Sequence, residues 1–148
     1  MAPIRESIEI ARSPEDVFAY LDDLSRHPEW QKSLESARVD TPGPTKAGTR
    51  VTQTRSVPGG KRTMTIELTE HNPPRSFAFR GIDGPIRPIG KGTVEPLGDG
   101  TRSLVTMELE LTGHGLGKLL APLVRGQARK EIPANQQQLK ERLETDPV

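Results

Sequence analysis

The chain has no cysteine. That excludes disulfides, thiolate metal sites and a cysteine nucleophile, and it fits a reducing compartment. Aromatic residues are scarce: Phe18, Tyr20, Trp30, Phe77 and Phe79 are the whole set. Hydrophobic residues make up 32% of the 148 positions. Such a lean core suits a sheet wrapped round a partly empty interior, and equally an ordinary domain of modest stability. No apolar run approaches the ~18 residues that a membrane span needs. The formal net charge is +1 and acids alternate with bases. There is therefore no basic arm or stripe to hold nucleic acid. The segment Met1–Arg12 carries Arg5, Glu6 and Glu9, which does not fit a signal peptide. The expectation is one domain over residues 1–148, cytoplasmic, with no nucleic-acid partner and no membrane span.

What is present reads as strands with helices at either end. Ile4–Ala11 alternates as a strand, with Ile8 and Ile10 on one face. Ser13-Pro14-Glu15-Asp16 starts a helix: Ser13 can accept an orphan backbone N–H, and Pro14 suits a position that needs no donor. Pro28 disfavours helix at His27 and can open a second short helix. Ser36–Asp40 is a short strand. Five further runs follow: Thr49–Val57, Arg62–His71, Ser76–Ile82, Gly90–Leu97 and Arg102–Thr112. Glycine, proline, asparagine and aspartate divide them, as antiparallel turns require. After Gly113-His114-Gly115 the chain is helix-forming to its end.

This terminal helix does not present a single stripe. Leu116, Leu119, Leu120, Leu123 and Val124 cluster on one side, while Ile132, Leu139 and Leu143 lie more than ~90° away. Between the clusters are Gly126 and Pro133. A proline removes a helical hydrogen bond and clashes with the preceding turn, at a cost of ~3 kcal/mol. The sequence therefore predicts a break or kink between Gly126 and Pro133. The first half would face the cavity mouth and the second the sheet.

The order of elements resembles the START-like superfamily. The local match is closest to its polyketide cyclase/dehydrase branch. It is carried by Ser7-Ile8-Glu9-Ile10, by Ala11-Arg12-Ser13-Pro14-Glu15-Asp16-Val17-Phe18, by Asp23 and Pro28-Glu29-Trp30, and by the closing Leu139-Lys140-Glu141-Arg142-Leu143-Glu144. The resemblance implies an α+β helix-grip fold. This is a curved antiparallel sheet of about seven strands, with two short helices after the first strand and a long C-terminal helix over its concave face. Superfamily members include lipid carriers, hormone receptors and cyclases, so the fold does not specify a reaction. A hydrophobic small molecule is the partner it implies, held between sheet and helix.

Alternation assigns the cavity wall. Met64 and Ile66 share a face, as do Phe77 with Phe79 and Val105 with Met107. Leu120 and Val124 would approach from the helix. Each can equally be ordinary core. Trp30 is either a structural plug or a cavity lining, and the two are compatible. Val51 and Val57 carry Gln53 and Arg55 inward with them, unless a bulge turns these two outward. A buried arginine needs a carboxylate, a polar ligand or water. Arg55 and Gln53 are accordingly read as anchors for the polar end of an otherwise apolar ligand.

No catalytic constellation stands out. His27, His71 and His114 fall in or beside loops without helical metal spacing, and there is no nucleophile elbow, phosphate loop or dinucleotide fingerprint. Asp22-Asp23 are adjacent and point different ways on a helix. No cofactor or metal is expected, and no pattern specifies an oligomeric state. Three functions remain open. The first is binding of a lipid-, polyketide- or aromatic-like molecule, and the second a cyclase/dehydrase-type reaction. The third is an interaction module with a filled core, marked by a cavity below the ~300 Å³ at which ligand pockets begin.

Overall fold

The computed structural model describes residues 3–145. The elements are β1 (Ile4–Ile10), α1 (Pro14–Asp22), a 3₁₀ helix (Leu24–Glu29), β2 (Leu34–Val39), β3 (Arg50–Val57), β4 (Gly60–Asn72), β5 (Ser76–Gly81), β6 (Ile86–Leu97), β7 (Arg102–Gly113) and α2 (Gly117–Thr145). The strands form one antiparallel sheet in the order β1-β7-β6-β5-β4-β3-β2. Consecutive strands pair from β2 to β7, and only β1 crosses to the far edge.

Local chemistry accounts for the boundaries. Ser13 Oγ accepts the Asp16 backbone N–H at 3.2 Å, and Pro14 opens α1. The β3–β4 hairpin closes with Val57 opposite Gly60, and Gly59 and Gly60 take φ of 93° and 138°. Side chains with a Cβ rarely adopt such values, so glycine belongs there. Pro28 lies in the last turn of the 3₁₀ helix, and does not open it. The helix starts earlier because the Asp23 N–H bonds back to Tyr20 O and the Arg26 N–H to Asp23 O.

β6 begins at Ile86, four residues before the expected Gly90, in spite of Pro88. Ladder pairing with β5 stops at Ile89, so Pro88 is paired to β7 alone although Gly81 of β5 lies close to its ring. At such an edge a missing donor is tolerated.

Of the expected break or kink, α2 excludes the break. It runs as one helix through Pro122 and Pro133. A proline costs ~3 kcal/mol in a helix interior, and full burial of one leucine returns ~1.5–3 kcal/mol. Leu139 and Leu143, both 0% exposed, offset that cost beyond Pro133. Polar pins hold the same turns: Asn135 Oδ1 accepts the Lys32 N–H at 3.0 Å, and Gln136 Nε2 donates to Glu6 O at 2.9 Å. The second half of α2 lies on the sheet, as the stripe of Leu139 and Leu143 implied.

α2 packs on β1, β7 and β6, at one side of the sheet. Beneath it Ile10, Val17, Phe18, Tyr20, Leu21, Trp30, Val94 and Val105 close around Leu139 and Leu143. A second cluster, Leu24, Val51, Ile66 and Leu68, is built from the 3₁₀ helix, β3 and β4. The space between the two clusters is the site.

Candidate functional site

A cavity of about 190 Å³ lies between α2 and the strands β3 to β7. Met64, Phe77, Phe79 and Met107 line it and are only half-buried. Their uncovered area faces the cavity. Two glycines set this wall. A Cβ at Gly92 would come within 2.4 Å of the Phe77 ring, and one at Gly90 within 2.3 Å of the Phe79 ring. The far edges of both rings therefore lie close over the β6 backbone, which only glycine permits at that distance. Ile66, Trp30 and Val124 are also part of the apolar lining. Leu120 does not line the cavity, and Leu119 and Leu123 point to solvent at 77% and 59% exposure. The first half of α2 thus turns most of its leucines away from the mouth, because no other element covers that side.

The polar end gathers on β3 and the 31–33 segment. β3 pairs with β4 in unbroken register from Arg50 to Val57. The irregularity falls on β2 instead, between Leu34 and Ser36. Gln53 and Arg55 keep the parity of Val51 and face inward. Arg55 Nη1 donates to Ser33 Oγ at 3.0 Å, and Nη2 to Gln31 Oε1 at 2.8 Å and to Gln53 Oε1 at 3.5 Å. All three acceptors are neutral. Among the described residues no carboxylate forms an ion pair with Arg55. Burial lowers its pKa from the ordinary arginine value, and the charge of Glu131 on α2 acts in the opposite sense.

A relay behind Arg55 fixes its direction. His27 Nε2 donates to Leu21 O at 2.7 Å, so Nδ1 accepts from Gln31 Nε2 at 3.3 Å. Gln31 Oε1 is then left to accept from Arg55. Burial lowers the His27 pKa, and the Arg55 charge lowers it further. The ring is neutral, with both nitrogens occupied. Two buried polar atoms on cavity-lining residues have no partner: Trp30 Nε1, a donor, and Gln127 Oε1, an acceptor. Trp30 is 7% exposed, packs in the main cluster and lines the cavity, so it is plug and lining together.

Sequence reasoning missed His27, Gln31, Ser33, Gln127 and Glu131 as lining residues. Gln127 and Glu131 are one helical turn apart beyond Val124, a spacing that could have placed them beside it. The others depend on how the 3₁₀ helix folds back on β3. The Asp22–His71 pair, 2.7 Å apart, does not line the cavity. Among the described residues no cluster of three or more His, Asp or Glu could hold a metal ion. Chemically, the site offers the Arg55 cation and the Glu131 carboxylate beside neutral amides and apolar walls, with Arg62, Lys91 and Glu108 also in its lining.

A seven-stranded sheet curled about a terminal helix defines the helix-grip proteins of the START superfamily. The model of the polyketide cyclase/dehydrase and lipid transport family matches residues 1–144, and the chain belongs to that family. The uncharacterised protein Rv1546 of Mycobacterium tuberculosis is 27% identical over 144 residues, covering 89% of this chain and 94% of that one. TTHA0849 from Thermus thermophilus superimposes with a TM-score of 0.74 at 27% identity, over 95% of this chain and 96% of that chain. The Zhui aromatase/cyclase from a Streptomyces species reaches 0.72 at 16% identity, over 99% and 98% of the two chains. At that identity the likeness is one of fold. Among the described residues no helix is long and apolar enough to cross a membrane.

Proposed function

We propose that the protein binds a compact hydrophobic molecule, or the end of a longer one, that carries an acceptor-rich and preferably anionic polar group. The observation that carries this is Arg55: a guanidinium at the wall of an apolar cavity, held by three neutral acceptors and no paired carboxylate. Glu131 acts on Arg55 without forming an ion pair with it, and a guanidinium largely withdrawn from water is costly without a paired counter-charge, which a ligand carboxylate or enolate would supply. Trp30 Nε1 is a second donor awaiting an acceptor.

The cavity volume of about 190 Å³ limits the enclosed part. It lies below the ~300 Å³ of usual ligand pockets, which is the mark of the interaction module, so the binding reading rests on the unfilled apolar wall and on Arg55 and not on volume. An apolar cavity of ~150 Å³ takes benzene, so one or two fused rings fit, and a longer chain must protrude.

The test is native mass spectrometry of the purified protein, followed by thermal shift with 2-naphthoate and its uncharged analogue 2-methylnaphthalene. Naphthoate should stabilise more, and Arg55→Met should abolish the difference by weakening naphthoate roughly tenfold or more. No co-purifying molecule and no shift with either probe would leave the filled-core interaction module as the better reading. A cyclase/dehydrase role in the same cavity is favoured by Glu131 lying across from Arg55, a base opposite an enolate-stabilising cation. Its mark is turnover of a poly-β-ketone that Glu131→Gln stops while binding persists.

A further inference from the structure

Leu116, Leu119 and Leu123 are 80%, 77% and 59% exposed, the most solvent-facing large apolar side chains among the described residues. They recur at helical spacing along the start of α2 and the turn before it, so they form one stripe. The charge around them is mainly positive, although Glu110 of β7 lies beside Lys118 and Arg125. From Leu111 to Lys130 the chain carries Lys118, Arg125, Arg129 and Lys130 and no aspartate or glutamate, in a protein whose net charge is +1. Lys118, Arg129 and Lys130 are exposed. On the inner side of the same turns, Val124, Gln127 and Ala128 line the cavity.

We infer that this half of α2 docks on an anionic phospholipid surface, its leucines entering the interface and its lysines and arginines meeting the headgroups. A basic helix with an exposed leucine edge is suited to that occupant, since apolar burial and attraction to anionic lipid add. A second copy is disfavoured, because a twofold face would set each copy's cations against the other's. Docking brings the cavity rim to the lipid, which gives an apolar ligand a path that avoids water.

The start of α2 is seated tightly against the sheet. A Cβ at Gly117 would fall 1.9 Å from Pro85 O, and one at Gly113 2.5 Å from Gly117 O. The helix is clamped at its start, and the leucine edge beyond the clamp stays uncovered.

Co-sedimentation tests the inference with vesicles of phosphatidylcholine containing ~30% phosphatidylglycerol, against phosphatidylcholine alone. The wild type should bind the anionic vesicles at least ~10-fold better, and ~0.5 M salt should erase most of the difference. Leu119→Glu and the pair Lys118→Glu/Arg129→Glu should each reduce binding ~10-fold or more, with unchanged melting curves because all three sites are exposed. Arg55→Met should bind vesicles as the wild type does, which separates this surface from the cavity. Failure of the wild type to sediment with anionic vesicles overturns the inference, as does wild-type binding by both variants. Light scattering that shows a dimer which Leu119→Glu dissolves also overturns it, as does capture of an acidic protein without vesicle binding.

Discussion

Arg55 and His27 show how single residues divide stability from function. Arg55 has hydrogen bonds but no ion-pair partner, so its charge contributes little to the fold. Arg55→Met keeps the stem that packs and removes the charge. It should leave the unfolding free energy within about 1 kcal/mol of wild type, measured by urea titration, while removing the preference for an acidic probe. A loss of several kcal/mol would mark Arg55 as structural. His27 has a folded pKa below its unfolded value, so the folded state binds fewer protons. Its contribution is complete above the unfolded value of ~6.5 and is lost as pH falls below that towards the folded value. Urea midpoints should therefore drop from pH 7 to pH 5, and His27→Gln should flatten that slope. Glu29, held low chiefly by its bond from Arg26, loses its contribution only in the more acidic range where carboxylates titrate. The candidate site was legible at this scale where alternation governs: Met64, Ile66, Phe77, Phe79 and Met107 line the cavity as strand parity placed them. His27, Gln31 and Ser33 were not legible, because their approach to Arg55 comes from chain reversal between the 3₁₀ helix and β2.

Among the elements, β6 and α2 decide the cavity's shape. The glycines of β6 receive the two phenylalanine rings, so Gly92→Ala must push Phe77 into the cavity or force the strand away. The expected cost is about 1–3 kcal/mol by thermal melting, with weaker probe binding. α2 is held through its second half, and Leu139→Ala should cost about 2–5 kcal/mol, lowering Tm by roughly 10 °C. Leu123→Ala in the first half should change Tm little, since its side chain is 59% exposed. The break expected near Pro133 was a local rule applied without its tertiary context. Propensity sees the lost hydrogen bond; it does not see Leu139 and Leu143 buried beyond it or Asn135 bonded to Lys32. The start of β6 was misplaced for a related reason, because Pro88 breaks a strand only where both neighbours need its donor.

Over the whole molecule, a ligand that binds only the folded state raises stability by mass action, so a probe present at ~100 times its Kd should add about 2.7 kcal/mol. The chain's patterning determined much by itself. Period-two alternation, turn glycines and the Ser13-Pro14 helix start specify strands, hairpins and the first helix, because these depend on residues close together in sequence. The absence of cysteine and of charge runs narrowed the chemistry in the same way. Tertiary structure decided the rest. It set α2 over β1, β7 and β6, so that a gap remains against β3 to β5. It turned Leu119 and Leu123 outward and brought Gln31, Ser33 and Glu131 around Arg55. Each of these depends on the distance and angle between elements far apart in the chain. Such geometry arises from the sum of many packing contacts, and no short stretch of sequence encodes it.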